Sequence, residues 1–385
     1  MKKINWDNFK DDREILDYLK ALPRYKNNTF KSLYRRTLFF LNLIIYRVFK
    51  LSKPLFIVLV TNNGCNLRCT YCYGNYGERN TPDYSTKEFI KIVDELKELG
   101  TKLLTVHGGE SLLRSDIGEI LNYIKLKGFY TSLNTNGYLV PNKIDQIKII
   151  DAVSISLDGS RESNDKNRGK GCFDKVEKAI EVFQKNNIPV NISVTLTKDN
   201  MNDMDFLAEY GLKKKCRIQY SILYNSDEIK NKSNNLVMND SEIRQIVKKI
   251  LDLKKQGYPI YYAENVFKTA IEWPFSYADR PFVRSKKELP RNFKPIPCYH
   301  GILKYYIDAN GRVLLCWDNN FEDAPNIKKM GVAKAIKECH ERYKDTCKYC
   351  SFLANNEQNS LMDLNPRNII HTIGIQLRDA LKLKS

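Results

Sequence analysis

Cys65-Asn66-Leu67-Arg68-Cys69-Thr70-Tyr71-Cys72 sets three thiols in a CxxxCxxC spacing directly after the apolar run 55–60. Three thiols with no fourth nearby suit few kinds of chemistry. A structural zinc site closes on four ligands and a redox CxxC needs two, whereas a [4Fe-4S] cube held by three thiolates keeps one iron open for a substrate. A chain that leaves a strand and wraps three sulfurs around a cube needs an irregular loop, and Asn63-Gly64 supplies a bend in front of it. A zinc site or buried structural cysteines remain the alternative for the same spacing.

Three more motifs close three more apolar runs. Gly108-Gly109-Glu110 follows 103–107, Asn134-Thr135-Asn136-Gly137 follows 130–133, and Ser156-Leu157-Asp158-Gly159 follows 152–155. With the aromatic Tyr71 just before the last cysteine, this series resembles the radical S-adenosylmethionine (SAM) enzymes. The resemblance implies that Cys65, Cys69 and Cys72 bind three irons of a [4Fe-4S] cluster, and that the fourth iron chelates the amino and carboxylate groups of SAM. An electron from the cluster would break the sulfur to C5′ bond, and the 5′-deoxyadenosyl radical would abstract hydrogen from an unactivated C–H bond. A reductant such as flavodoxin or ferredoxin is implied with it. By the same resemblance Gly108, Gly109 and Glu110 would meet the SAM amino group, and Tyr71 the adenine side. Asn134 and Ser156 would lie near the ribose and methionine ends, and Arg168 would pair with the carboxylate. A guanidinium suits that last role because it is always charged and binds carboxylates bidentately. The chain departs from the family at Ser111, where proline is usual, and at Asn164, where many members carry histidine.

A second set of thiols, Cys298, Cys316, Cys347 and Cys350, lies far along the chain. The stretch Gly311-Arg312-Val313-Leu314-Leu315-Cys316 resembles the hairpin cysteine of SPASM and twitch domains, and four thiols match the shortened twitch form with one auxiliary [4Fe-4S] cluster. Cys₄ zinc is the rival for these four. Cys339 is a candidate substitute ligand, while Cys172 and Cys216 read as small buried residues. His107 beside the glycine pair reads as a core histidine, and Asp318, two residues past Cys316, as a candidate proton acceptor.

The elements that must position these residues follow a βα rhythm. Runs 55–60, 103–107, 130–133, 152–155, 190–196 and 217–223 read as strands, and segments 85–99, 116–127, 143–149, 173–186, 201–213 and 241–256 as helices, the second capped by Ser115. The fold class is therefore α/β. Six units are fewer than a closed (βα)₈ barrel has, and the family resemblance implies a partial (βα)₆ barrel; all four motifs sit at strand C-terminal ends, where parallel βα folds carry their chemistry. Past residue 261 the rhythm stops and prolines break the chain into extended pieces, then a hairpin turns at Asn310-Gly311 and helices are expected at 332–342 and 367–383. The domains expected are 1–54, a basic and apolar helical segment; 55–260, the barrel; and 261–385, the auxiliary cluster domain.

Length and charge bound the rest. A chain of 385 residues buries a core large enough for one full domain and a smaller one. Ten clustered cysteines are no disulfide framework, and an oxygen-sensitive cluster needs a reducing compartment, so a cytoplasmic protein without a secretory signal is expected. The net charge of +18 suits an acidic partner: anionic lipid, nucleic acid, or an acidic substrate. No RNA-binding signature interleaves aromatics with the basic residues, which disfavours a non-catalytic iron–sulfur or zinc protein on nucleic acid. Between Asp17 and Glu78 no acidic residue occurs, and a helix over 30–51 is apolar nearly all round with basic flanks. It is too short to span a bilayer, which takes about 20 apolar residues. It suits a helix covering the barrel's open edge, or one lying peripherally in a membrane interface, with a lipid or lipid-linked substrate. Peptides, proteins and small molecules are the alternative substrates, since fold does not fix substrate.

Overall fold

The computed structural model describes residues 4–224, 234–317, 321 and 323–381. Helices α1 (Asp12–Ala21) and α2 (Thr29–Val48) precede the first strand. Six parallel strands then lie side by side in chain order, β1 (Phe56–Val60), β2 (Leu103–His107), β3 (Tyr130–Thr135), β4 (Ala152–Ser156), β5 (Val190–Leu196) and β6 (Arg217–Ile222). The helices between and after them are α3 (Thr86–Glu98), α4 (Ile117–Leu126), α5 (Val140–Ile147), α6 (Arg161–Arg168), α7 (Cys172–Lys185), α8 (Met204–Lys214) and α9 (Asp240–Lys255).

Alternation along each strand decides what faces where. Val190, Ile192, Val194 and Leu196 of β5 are buried in the main apolar core, while the intervening Asn191, Ser193 and Thr195 are part-exposed. Parallel register sets Asn134 beside Ser154, Ser154 beside Asn191, and Asn191 beside Arg217, so one face of the sheet carries a row of polar side chains. Helix α3 opens with the expected capping box, in which Ser85 and Glu88 satisfy each other's backbone, and it buries Phe89, Ile92, Val93 and Leu96. Helix α4 differs from expectation. It begins after Asp116 without a side-chain cap, and that carboxylate accepts instead from Arg114 (2.9 and 2.7 Å) and Thr86 (2.7 Å).

The remaining elements are α10 (Glu264–Ile271), β7 (Phe282–Val283), β8 (Lys304–Ile307), β9 (Val313–Leu314), α11 (Ile327–Met330), α12 (Val332–Tyr343), β10 (Tyr349–Cys350), α13 (Leu353–Met362) and α14 (Pro366–Leu381). The hairpin at Asn310-Gly311 forms, with Gly311 at φ +94°. Its first strand does more than expected: β8 pairs in parallel with β1, from Phe56 opposite Lys304 to Leu59 opposite Ile307. The open edge beside β1 is thus covered by the C-terminal hairpin and not by α2.

Helix α2 lies across the N-terminal ends of the strands. Arg36 donates to the Tyr130 hydroxyl at the start of β3 (2.6 Å), and Arg35 stands 3.9 Å from Asp151 just before β4. Phe39, Leu43 and Tyr46 pack with Leu55 and Phe56 at the start of β1. Among the described residues no helix is long and apolar enough to cross a membrane.

Candidate active site

The thiol loop leaves β1 at its C-terminal end and is fastened to the ends of β2 and β3 and to the segment after β4. Against β2, Gly109 N–H donates to the Asn62 carbonyl (3.1 Å), Glu110 N–H to the Gly64 carbonyl (2.9 Å), and the Asn62 amide to the Glu110 carbonyl (3.1 Å). A Cβ at Gly109 would stand 2.3 Å from the Gly64 carbonyl oxygen, so only glycine allows this approach. Against β3, Asn136 donates to the Asn66 side chain (2.8 Å). Against the segment after β4, Thr70 N–H donates to the Asn167 carbonyl (3.1 Å). Within the loop Arg68 donates to the carbonyls of Cys65 and Leu67 (2.8 and 3.0 Å) and Gly77 (3.1 Å), drawing the two arms together.

Cys65, Cys69 and Cys72 are part-exposed on this loop. Burial pushes the Cys65 thiol up and takes Cys69 up to about 11, with Arg168 acting in the opposite direction on Cys69. Burial thus favours the neutral thiol at Cys65 and Cys69, and a cationic iron core is the kind of group that would hold them as thiolates.

Asp158, buried completely, is the densest polar node of the site. Its carboxylate accepts a bidentate pair from Arg168 (Nε 2.7 Å, Nη2 3.0 Å), the Tyr71 hydroxyl, and Thr195 N–H (3.0 Å). Helix α6, too polar to show an apolar period, delivers Arg168 to this place. The guanidinium edge that the sequence assigned to a SAM carboxylate is thus occupied by Asp158, and Nη1 points at the Cys69 sulfur (3.9 Å). Tyr71 packs with Leu223 and Leu236, its hydroxyl turned into Asp158.

Glu110 is likewise buried, and its carboxylate already accepts from Leu112 N–H (3.0 Å), Asn136 N–H (2.8 Å) and the Thr135 hydroxyl (3.0 Å). It ties β2 to β3, and burial holds its pKa above the ordinary value. Asn134 and Ser156 stand part-exposed at the ends of β3 and β4, and Gly108 abuts the Asn62 side chain. His107 lies under the loop, 3.4 Å from the Tyr73 hydroxyl, with its pKa lowered to about 4 by burial. Asp158, Asn136 and Asn66 are not singled out in the sequence, although each lies inside a motif noted there.

The C-terminal thiols also gather. Cys347 shares a hydrogen bond with Cys298 and feels the charges of Cys350 and Cys316; burial and that bond keep the Cys347 thiol protonated. Around them Cys298 N–H donates to the Lys348 carbonyl (2.8 Å), and Asn356 of α13 donates to the Cys350 carbonyl (2.8 Å). Cys339 is fully buried in the main core, and Cys172 and Cys216 are buried as expected. Asp318 lies outside the described residues. Among the described residues no three such groups converge closely enough to hold a single metal ion. An aromatic contact joins the two sets: Tyr73, next to Cys72, meets Trp317, next to Cys316, with ring centres 5.6 Å apart.

The parallel strands carry all four motifs, the three-thiol loop among them, at one rim of the sheet, and on this arrangement the chain can be compared with known proteins. Residues 59–211 match the Radical SAM superfamily, so the chain carries a radical SAM domain. Proteins of this superfamily use a [4Fe-4S] cluster and SAM. The chain is 31% identical over 221 residues to Fe-coproporphyrin III synthase of Methanosarcina barkeri, covering 54% of each. It is 32% identical over 170 residues to mycofactocin maturase MftC of Mycolicibacterium smegmatis, covering 42% of this chain and 43% of the relative. The chain thus spans about half the length of the curated relatives it matches. The crystal structure of Streptococcus suis SuiB bound to precursor peptide SuiA has the same fold, with a TM-score of 0.58 at 18% identity over 85% of this chain and 75% of that one.

Proposed function

We propose that this protein is a radical SAM enzyme in which Cys65, Cys69 and Cys72 hold the SAM-binding [4Fe-4S] cluster and Cys298, Cys316, Cys347 and Cys350 hold an auxiliary one. The observation that carries the reading is the three-thiol loop, fastened to the ends of β2 and β3 and to the segment after β4. When bound, the cluster and SAM supply reductive cleavage to a 5′-deoxyadenosyl radical able to take hydrogen from an unactivated carbon. The chain's own residues orient and enclose. Arg68 and Asn62 fix the loop, Glu110 locks two strand ends, and the Asp158–Arg168–Tyr71 node keeps a buried cation beside Cys69. The carbonyl-rich glycine pair, with Asn134 and Ser156, lines the remaining rim for the amino, ribose and methionine parts of SAM. A small reductant of the flavodoxin or ferredoxin type would supply the electron.

For substrate class the peptide reading has the better support. One relative is named a maturase, and the SuiB structure of the same fold contains a precursor peptide. A lipid substrate was suggested by α2 alone, and α2 lies at the strand ends opposite the thiol loop. The test of the cofactor assignment is spectroscopic. In anaerobically reconstituted, reduced protein, adding SAM should shift the electron paramagnetic resonance signal of the triplet-bound cluster, because one iron is open to it. A signal indifferent to SAM would remove the assignment.

A further inference from the structure

Helix α2 carries two apolar stripes. Phe39, Leu43 and Tyr46 face the barrel, while Phe30, Leu41, Ile45 and Val48, with Phe49 just beyond the helix, face solvent. The exposure is large where a core helix would have none: 77% at Phe30, 50% at Leu41 and 65% at Val48. Helix α14 packs beside α2 and shows Ile370, Ile373 and Leu377 to solvent at i, i+3 and i+7. Among the described residues every exposed large apolar side chain except Leu113 and Leu212 belongs to these two helices or the turn after α2. Soluble monomers scatter such residues singly, and a concentration on two adjacent helices marks a surface that something covers.

Charge selects the occupant. Lys26 and Lys31 at one end of α2, Lys50 and Lys53 at the other, and Arg367 and Arg378 on α14 are all exposed. The sequence has no acidic residue from Tyr18 to Gly77 to offset those around α2. A second copy would bring the same cations face to face across a two-fold interface. An anionic bilayer instead accepts the apolar stripe at the acyl boundary and the cations among its headgroups. We propose that the α2–α14 face docks this protein on an anionic membrane surface, with the thiol loop turned away from the bilayer. The orientation follows from the fold, since α2 crosses the N-terminal ends of the strands and the loop rises from their C-terminal ends. A docked molecule therefore takes its substrate from the aqueous side. The docking stands apart from the radical SAM reading, because it needs no cluster and no turnover.

The experiment is co-sedimentation of the full chain with phosphatidylcholine vesicles, with and without phosphatidylglycerol. Partitioning should be about tenfold or more stronger onto the anionic vesicles at low salt, and should weaken as salt rises. The triple variant Leu41→Ser, Ile45→Ser, Val48→Ser should lose about tenfold or more of that binding. The variant Lys31→Glu, Lys50→Glu, Lys53→Glu should lose the preference for anionic lipid. All six positions are exposed, and circular dichroism confirms that each variant folds. On vesicles, amide hydrogen exchange should slow in α2 and α14 and stay unchanged over residues 61–84. Absence of an anionic preference, or variants that bind like the parent, would overturn the docking. Protection of the thiol loop would overturn the orientation. A parent dimer in sedimentation velocity that the serine variant dissolves, with no vesicle binding, would assign the face to a second copy.

Discussion

Replacing Asp158 by alanine removes one carboxylate from a fully buried place where Arg168, Tyr71 and Thr195 N–H all donate to it. Arg168, whose side chain is itself only 9% exposed, would be left as a buried cation without its partner. Breaking a buried pair in this way costs about 3–5 kcal/mol, because the surviving charge keeps its desolvation penalty. Removing both partners, as in Asp158→Ala with Arg168→Ala, should cost clearly less than the sum of the single changes. Residues in direct contact couple by about 0.5–3 kcal/mol, and two tight charge-assisted bonds place this pair at the upper end. Denaturant unfolding of the apo protein and its three variants gives the cycle. Asp158→Ala should also lower iron retention after anaerobic reconstitution, because Arg168 and Tyr71 flank Cys69. Single changes that add to within about 0.5 kcal/mol would show that the node is not a coupled unit. The positioning role given to it would then fail.

Other outcomes follow from particular contacts. Gly109→Ala should displace the thiol loop and abolish iron binding at the triplet while leaving the auxiliary cluster spectrum, since its Cβ would meet the Gly64 carbonyl at 2.3 Å. Cys347→Ser with Cys350→Ser should take iron from about eight to about four per chain. If that variant loses zinc and no iron, the auxiliary cluster assignment is wrong. Glu357, buried in α13, has its carboxyl pushed up to about 7 by burial. A carboxyl raised on folding contributes stability that is full below its unfolded pKa of 4.5 and lost as pH rises through about 7. The loss by pH 8 is about 3 kcal/mol, and Glu357→Gln, which retains an acceptor for Ala263 N–H (2.8 Å), should flatten the change in urea stability between pH 5 and 8 by about that amount. An unchanged slope in the variant would assign the pH dependence elsewhere.

The barrel was legible because its helices and strands bury apolar side chains at periods of 3.6 and 2, and because Ser85 and Glu88 mark a helix start in residue type alone. Two of the elements that escaped, α6 and α13, bury mainly polar residues. Helix α13 buries Asn355, Asn356, Glu357, Asn359 and Ser360, which pin loops to one another and leave no apolar period to read. Helix α6, with the sequence Arg-Glu-Ser-Asn-Asp-Lys-Asn-Arg, is held by local bonds such as Asp165 accepting from Gly171 and Phe173 N–H (2.7 and 2.8 Å). The pairing of β8 with β1 joins residues about 250 positions apart, which no local pattern encodes. At the site the cysteine spacing was sufficient to suggest the cofactor. The partner of Arg168 was not legible, because bidentate geometry suits Asp158 as well as a SAM carboxylate and only the fold brings Asp158 within reach.

The central claim is that Cys65, Cys69 and Cys72 hold a cluster that cleaves SAM. Anaerobically reconstituted protein, given dithionite and SAM, should form 5′-deoxyadenosine and methionine in equal amounts, measured by liquid chromatography. The triple variant Cys65→Ala, Cys69→Ala, Cys72→Ala should form neither, even though it keeps the iron of its C-terminal thiols. Equal cleavage by that variant, or none by the fully reconstituted parent, would contradict the account.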